Sequence, residues 1–347
     1  KSTMWNIDKD IENIFNNGID LWSELQDANI FLTGGTGFIG TWILKTIEKL
    51  NADMHLNIRV TILTRNIQKY KEKNIETNSK KNFTFLEGDI CNFRYPNSNF
   101  SHIIHGATDA SAHLNENDPK KMYSTIVDGT KNLLEFSLKN DNPKILFMSS
   151  GAVYGNQPID LLNVPESYVG APITTNVVNC YAEAKRAAEM LCAIYCKQEN
   201  LNIKTSRIFA LLGPYLSLDI HFAAGNFIKN AIDGNDIIVH GNGKPIRSYL
   251  YPTDLIIWLF FILLKGKKNT PYNVGSPNGY SIEELARKIA DLIGNKNVKI
   301  LGRDDGGWNL GRYVPDVSLI TKESNYKCTV SIDDAIKRTA SWNKYEN

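Results

Sequence analysis

Tyr181 and Lys185 stand four residues apart in Tyr181-Ala182-Glu183-Ala184-Lys185, inside a helix-like run, so both occupy one helix face. An ammonium beside a phenol favours the phenolate and draws its pKa down from about 10. Such a pair takes a proton from a hydroxyl while the hydroxyl carbon gives up hydride. In reverse it donates a proton to a carbonyl. A second group, Ser149 and Ser150, ends the apolar run Lys144–Ser149, and Ser150 is placed to hydrogen-bond a reacting oxygen. The third is Thr33-Gly34-Gly35-Thr36-Gly37-Phe38-Ile39-Gly40, between an apolar run (Asn29–Leu32) and a helix-like segment starting near Trp42. A strand turning through glycines into a helix offers backbone N–H groups and a positive helix end to a pyrophosphate. Singly, these patterns also read as an ordinary turn, a surface pair and a helix cap. In this order and with these flanks they point to dinucleotide-dependent hydride chemistry.

The elements that must position these groups follow from hydrophobic patterning. Six candidate strands, Asn29–Thr33, Arg59–Thr64, Phe83–Glu87, His102–His105, Lys144–Ser149 and Ile203–Ile208, alternate with helix-like stretches around 39–50, 119–138 and 179–200. Short continuous apolar strands alternating with helices predict an α/β fold, a Rossmann-type doubly wound parallel sheet. After Ile208, Gly-Pro and Asn-Gly turns punctuate shorter elements, predicting a smaller C-terminal α/β substrate lobe. The expected division is a helical N-terminal extension (1–27), a dinucleotide-binding domain (28–210) and a mainly substrate-binding lobe (211–347) interleaved with it. Ile11, Ile14, Phe15, Ile19, Leu21, Trp22 and Leu25 give the extension a face to pack outside the first domain.

Composition narrows the function classes. The chain has 347 residues, 42% hydrophobic and 22% charged, with net charge +2, which gives no sign of nucleic-acid or membrane-surface binding. Its five cysteines are odd in number and lack CxxC spacing, so reduced thiols, no metal site and a cytoplasmic location are expected. No secretory leader pattern opens the chain, and the longest apolar stretch, Leu255–Leu264, predicts a buried helix rather than a membrane span. Asp254 before it reads as a helix-end anion.

The glycine motif, the strand-end serine and the Tyr-Lys pair together resemble the extended short-chain dehydrogenase/reductase family, in its nucleotide-sugar epimerase/dehydratase branch, over residues 28 to 340. The resemblance implies Ser150, Tyr181 and Lys185 as catalytic residues. It implies a cofactor site from Gly34, Gly37, Phe38, Ile39, Gly40, Arg65, Asp89, Ile90, Ala107, Thr108 and Lys185. Asn226, Arg247 and Arg312 match positions that grip a substrate diphosphate, where guanidinium forks suit phosphate oxygens. Tyr215, His221 and Tyr249 are candidates for the sugar or base pocket or for aromatic core. A homodimer through the helices around 119–138 and 179–200 is also implied.

Departures from the family select among its reactions. Relatives that eliminate water between C4 and C6 carry an Asp-Glu pair after the strand-end hydroxyl, and decarboxylating relatives a glutamate. Here Gly151 and Ala152 occupy that turn. Ile126 stands where many relatives have asparagine. The second strand ends Leu63-Thr64-Arg65-Asn66, with no acid for a ribose hydroxyl and one arginine, which favours NADP over NAD. The expected function is an NAD(P)-dependent oxidoreductase on a nucleotide-diphosphate sugar, most simply a 4-ketoreductase with Tyr181 as proton donor. The alternative is an epimerase with retained cofactor; a 4,6-dehydratase or decarboxylase ranks third, and a catalytically silent dinucleotide-binding subunit lies outside the class.

Overall fold

A computed structural model describes residues 4–73, 81–106, 117–219, 222–294, 297–303 and 311–346. Its centre is a seven-stranded sheet of β1 (Asn29–Thr33), β2 (Arg59–Thr64), β3 (Phe83–Glu87), β4 (His102–His105), β5 (Lys144–Ser150), β6 (Asn202–Ile208) and β9 (Pro271–Val274). The order is β3-β2-β1-β4-β5-β6-β9, and every neighbouring pair is parallel. Strands covered on both faces are mainly apolar, and β1 and β4 are buried at every residue. Strand order reverses between β1 and β4, so a crevice opens beyond their carboxyl ends.

Helices α1 (Ile7–Asn17) and α2 (Ile19–Trp22) precede the sheet, and α3 (Phe38–Met54), α4 (Ile67–Lys73), α5 (Pro119–Ser137) and α6 (Cys180–Gln198) connect its strands. All six expected strands form. The seventh, β9, escapes the pattern because it is four residues long and opens with a proline. It is preceded by α8 (Pro252–Lys265), buried from Pro252 to Leu264. So apolar a helix is stable only against the sheet, and it draws the chain back from the lobe. Asp254 in its first turn is buried and accepts hydrogen bonds from Tyr326 Oη (2.6 Å) and the Thr329 and Val330 amides. At the other end Lys204 Nζ and Lys144 Nζ donate to Leu263 O and Leu264 O, each at 3.0 Å. Among the described residues no helix is long and apolar enough to cross a membrane.

The lobe holds β8 (Ile246–Arg247) between β10 (Tyr280–Ser281) and β12 (Arg312–Tyr313), and a pair of β7 (Ile237–Val239) with β11 (Val298–Ile300). Helices α7 (Ala223–Ile232), α9 (Ile282–Ile293) and α11 (Ile332–Glu346) close a core around Leu285, Ile289 and Ile336, while α10 (Ser318–Ser324) packs near β9.

The N-terminal extension does more than cover the first domain. Asp10, 2% exposed, accepts from Trp5 Nε1 (2.7 Å), Tyr251 Oη (2.5 Å) and Arg338 Nη1 (3.1 Å). It thus ties α1 to the segment before α8 and to the last helix. Asp10→Ala would leave Arg338 and Tyr251 without their acceptor, at a cost of about 3 kcal/mol. A lower urea midpoint at unchanged slope is expected; an unmoved midpoint would mean that the clamp contributes nothing.

Candidate active site

The glycine turn has backbone reasons for its composition. Gly34 has φ +74°, in the left-handed region, and a Cβ on Gly40 would lie 2.4 Å from the Gly35 backbone. Gly37 starts α3 with no side-chain cap, so Phe38 and Ile39 open a helix end that no side chain of that cap position covers. Arg65 is exposed just past β2. Asp89 accepts from the Cys91 amide (2.8 Å), and Ile90 is buried with its carbonyl bonded by Asn132 Nδ2 (2.8 Å). Ala107, Thr108 and His221 lie outside the described residues.

Between the turn and the reaction centre, His105 is buried with Nδ1 2.7 Å from Thr33 Oγ1 and Nε2 3.0 Å from Thr130 Oγ1. Burial, reinforced by the Lys185 charge, pushes its pKa down to about 3, so it stays neutral. Ile126 packs in the core, and Thr130 is the polar group that α5 presents to the strand ends instead.

The catalytic candidates meet at the end of β5. Ser150 Oγ accepts from the Ala152 amide (3.1 Å), and Tyr181 and Tyr313 line the same cleft as Ser150. Lys185, one turn beyond Tyr181, donates to Met148 O (2.9 Å) and has its ammonium 5.8 Å from the Tyr181 ring centroid. Burial lowers Lys185 to about 8. Burial also raises Tyr181 above its ordinary value, opposed by the Ser150 hydrogen bond. The sequence leads to the expectation that the lysine lowers the phenol, whereas burial is the larger influence on Tyr181 and acts in the opposite direction.

Helix α6 is fixed over the strand ends by a partly buried polar row. Glu189 accepts from Ser149 Oγ (3.1 Å) and from Arg207 Nε (3.0 Å) and Nη2 (2.9 Å), while Arg207 Nη1 donates to Tyr154 Oη (3.0 Å). Tyr154 in turn donates to Asn273 Oδ1 on β9 (2.7 Å). Arg207 pairs in register with both Ser149 and Asn273, so the row crosses three strands on one face.

Ser149, Ser150, Tyr154, Tyr181 and Lys185 line a cleft of about 1380 Å³, together with Ile39, Asn226, Arg247 and Tyr249. The structure brings Ser150, Tyr181, Lys185, Asn226 and Arg247 to one cavity. Arg312 is placed differently. Tyr313 pairs with Arg247 and lines the cleft, so Arg312, its neighbour on a strand, alternates to the other face. Its Nε and Nη1 are buried without a hydrogen-bond partner. Tyr215 packs against Trp42 and Trp342, away from the lining. Tyr313 was missed in sequence, since a two-residue strand has no periodicity; its place beside Arg312 was the available signal.

Carboxylates are scarce in the cavity. Among the described lining residues the one acid is Asp219, 3.3 Å from Lys229 Nζ. A Cβ on Gly151 would lie 2.6 Å from the Phe209 ring, so the turn after Ser150 has no room for a side chain there without repacking.

Comparison with known proteins agrees with this architecture. The model of the NAD dependent epimerase/dehydratase family matches residues 30–275, and the chain belongs to that family. It is 31% identical over 274 residues to UDP-glucuronic acid decarboxylase 1 of Xenopus tropicalis, covering 79% of this chain and 62% of that one. It is also 31% identical over 284 residues to UDP-glucuronic acid decarboxylase 5 of Arabidopsis thaliana, covering 79% and 77%. The chain thus spans less than two thirds of the length of the Xenopus protein. Among solved structures, a UDP-N-acetylglucosamine 4-epimerase from Methanobrevibacter ruminantium superposes with TM-score 0.80 at 22% identity, covering 93% of this chain and all (100%) of that one. A dTDP-glucose 4,6-dehydratase from Bacillus anthracis, in complex with NAD, gives 0.76 at 22%, covering 92% and 97%.

Proposed function

We propose that this chain is an NAD(P)-dependent oxidoreductase acting on a nucleotide-diphosphate sugar, most simply reducing a 4-keto group. The observation that carries this reading is the pairing of an intact Ser150, Tyr181 and Lys185 with a turn after Ser150 whose residues, Gly151 and Ala152, bear no carboxylate. Eliminating water or losing carbon dioxide through the family's usual acid–base carboxylates needs groups that Gly151 and Ala152 do not supply. Carbonyl reduction needs a proton donor, a second hydrogen-bond donor and a nearby cation, roles for which Tyr181, Ser150 and Lys185 are the candidates.

The residues fit a dinucleotide. The Gly34–Gly40 turn is a cradle that a Cβ at Gly40 would fill, and the α3 terminus beyond Gly37 lacks a side-chain cap. Gly34, Gly37, Phe38, Ile39 and Gly40 would hold the pyrophosphate, Asp89 and Ile90 the adenosine end, and Ala107, Thr108 and Lys185 the nicotinamide side. When bound, the nicotinamide supplies the hydride. Ser150 then bonds the substrate oxygen, Tyr181 gives it the phenolic proton, and the Lys185 ammonium offsets the charge left on the phenolate. Asn226 and Arg247 are assigned to the diphosphate; Arg312 would have to swing from the far face to join them, and its unpaired Nε and Nη1 leave it able to.

NADP is the favoured cofactor, because Arg65 follows β2 with no acid beside it in sequence. Arg65→Ala should weaken NADP binding by about tenfold or more, the scale of one charge-assisted contact, with little effect on NAD; equal losses in a fluorescence titration would contradict that role. A homodimer is proposed through α5 and α6, which leave Tyr123 (43%), Met190 (62%) and Ile194 (39%) exposed. A monomeric mass in solution at micromolar concentration would overturn it. For catalysis, Tyr181→Phe should retain cofactor binding and lower turnover by about 10²-fold or more. Undiminished turnover of a nucleotide 4-keto sugar would sink the assignment.

A further inference from the structure

The turn after Ser150 lies against aromatic rings that line the cleft. A Cβ on Gly151 would meet the Phe209 ring at 2.6 Å. That ring neighbours Tyr313, with centroids 4.6 Å apart, and Tyr154, at 6.3 Å. Ala152, Tyr154, Phe209 and Tyr313 all belong to the lining. Tyr154 and Phe209 are each 3% exposed and share an apolar cluster with Val153 and Val164. The Tyr154 hydroxyl is engaged elsewhere, since it donates to Asn273 Oδ1 (2.7 Å) and accepts from Arg207 Nη1 (3.0 Å). What Tyr154 presents to a ligand is therefore its ring.

None of these four wall residues carries a charge. Arg207 stands 4.9 Å from the Tyr154 ring centroid, but Glu189 holds its guanidinium at 3.0 and 2.9 Å, and Arg207 is not in the lining. Of the cations that are, Lys185 donates to Met148 O and Lys229 faces Asp219 at 3.3 Å. Arg247, opposite Tyr313, is assigned above to the diphosphate. A carboxylate pressed on such a wall loses its hydration with no partner to replace it, and a hydroxyl loses part of its own. A methyl group gains from the same burial. Polar side chains enter the lining from the segment leading into Tyr181, as Asn176 and Asn179.

We propose that the sugar taken here is a 6-deoxyhexose, with its C6 methyl packed on Ala152, Tyr154, Phe209 and Tyr313. The inference rests on the proposed reduction at C4 and names the substrate class for it. A C4 carbonyl held by Ser150 and Tyr181 has C3 and C5 as its ring neighbours. C3 bears a hydroxyl, which needs a hydrogen-bonding side chain such as Asn176 or Asn179. C5 bears C6, and an apolar C6 turned to the wall fills it. A hexose would bring a hydroxyl to the same place and a hexuronate a carboxylate, so the wall selects against both.

Calorimetric titration without added cofactor reads this selection as binding, apart from turnover. The probes are UDP-6-deoxyglucose, UDP-glucose and UDP-glucuronate, with the same three sugars on dTDP. The 6-deoxy compound should bind about tenfold or more tighter than the glucose compound, and about 100-fold or more tighter than the glucuronate, as expected when an apolar pocket meets an added hydroxyl or charge. Glucose or glucuronate binding as tightly as 6-deoxyglucose overturns the proposal. Tyr313→Arg puts a guanidinium into the wall, and should strengthen glucuronate binding while weakening that of 6-deoxyglucose. Ala152→Lys asks the same from the turn if Tyr313→Arg does not fold. An unchanged order of affinities in a folded variant also overturns the proposal, and binding of none of the probes overturns it together with the nucleotide-sugar reading. Failure of the reductase reading alone would show separately, as a wild-type chain that ranks the three sugars as expected yet consumes no cofactor on any nucleotide 4-keto sugar.

Discussion

The constraint on which the site depends is the seating of α6 across the carboxyl end of β5. A buried ammonium is costly unless its surroundings are fixed, and the depressed pKa of Lys185 records that cost. The fold meets it on successive turns of one helix. Lys185 donates to Met148 O, Arg186 to Val153 O, and Glu189 collects Ser149 and Arg207. Each partner belongs to β5, to the turn after it, or to β6. Tyr181, one turn earlier, is carried on the same helix.

The second lobe is built onto that fixed point. The apolar α8 must lie on the sheet, so the chain enters the lobe, leaves it to add β9, and returns. This path places β8 and β12 side by side over the cleft and delivers Arg247 and Tyr313 together. The Asn273 amide accepts no side-chain choice of its own: its Nδ2 donates to Val164 O and Asp316 O while its Oδ1 accepts from Tyr154. One residue of the returning strand thus joins the catalytic turn to the segment after β12.

Much of this was legible in the sequence, for identifiable reasons. Short apolar runs such as Ile30–Leu32 and Ile145–Met148 mark strands buried on both faces, so β1 to β6 could be bounded closely although β3 is partly exposed and β6 carries Lys204, Ser206 and Arg207. The glycine turn was legible because a left-handed φ at Gly34 and the backbone contact at Gly40 restrict those positions. Tyr181 and Lys185 share a helix face by period alone. What stayed hidden depends on contacts between distant segments. The four-residue β9, the two-residue β12 with Tyr313, the turning away of Arg312, and the clamp of Asp10 on Arg338 leave no periodic trace. The sign of the Tyr181 shift was hidden for the same reason, since a one-dimensional spacing records the neighbouring lysine but not the burial that opposes it.

A serine, a tyrosine and a lysine, followed by Gly151 and Ala152 where a carboxylate would stand, are proposed to make this centre a net reductant of a sugar carbonyl. The most direct measurement supplies a nucleotide-diphosphate 4-keto-6-deoxyhexose with NADPH deuterated on the transferred position, and follows cofactor and product by mass spectrometry. One deuterium in the sugar product for each cofactor oxidised is the result this account predicts. Product formed with no net oxidation of cofactor, or carbon dioxide released from a nucleotide-diphosphate glucuronate, would contradict it.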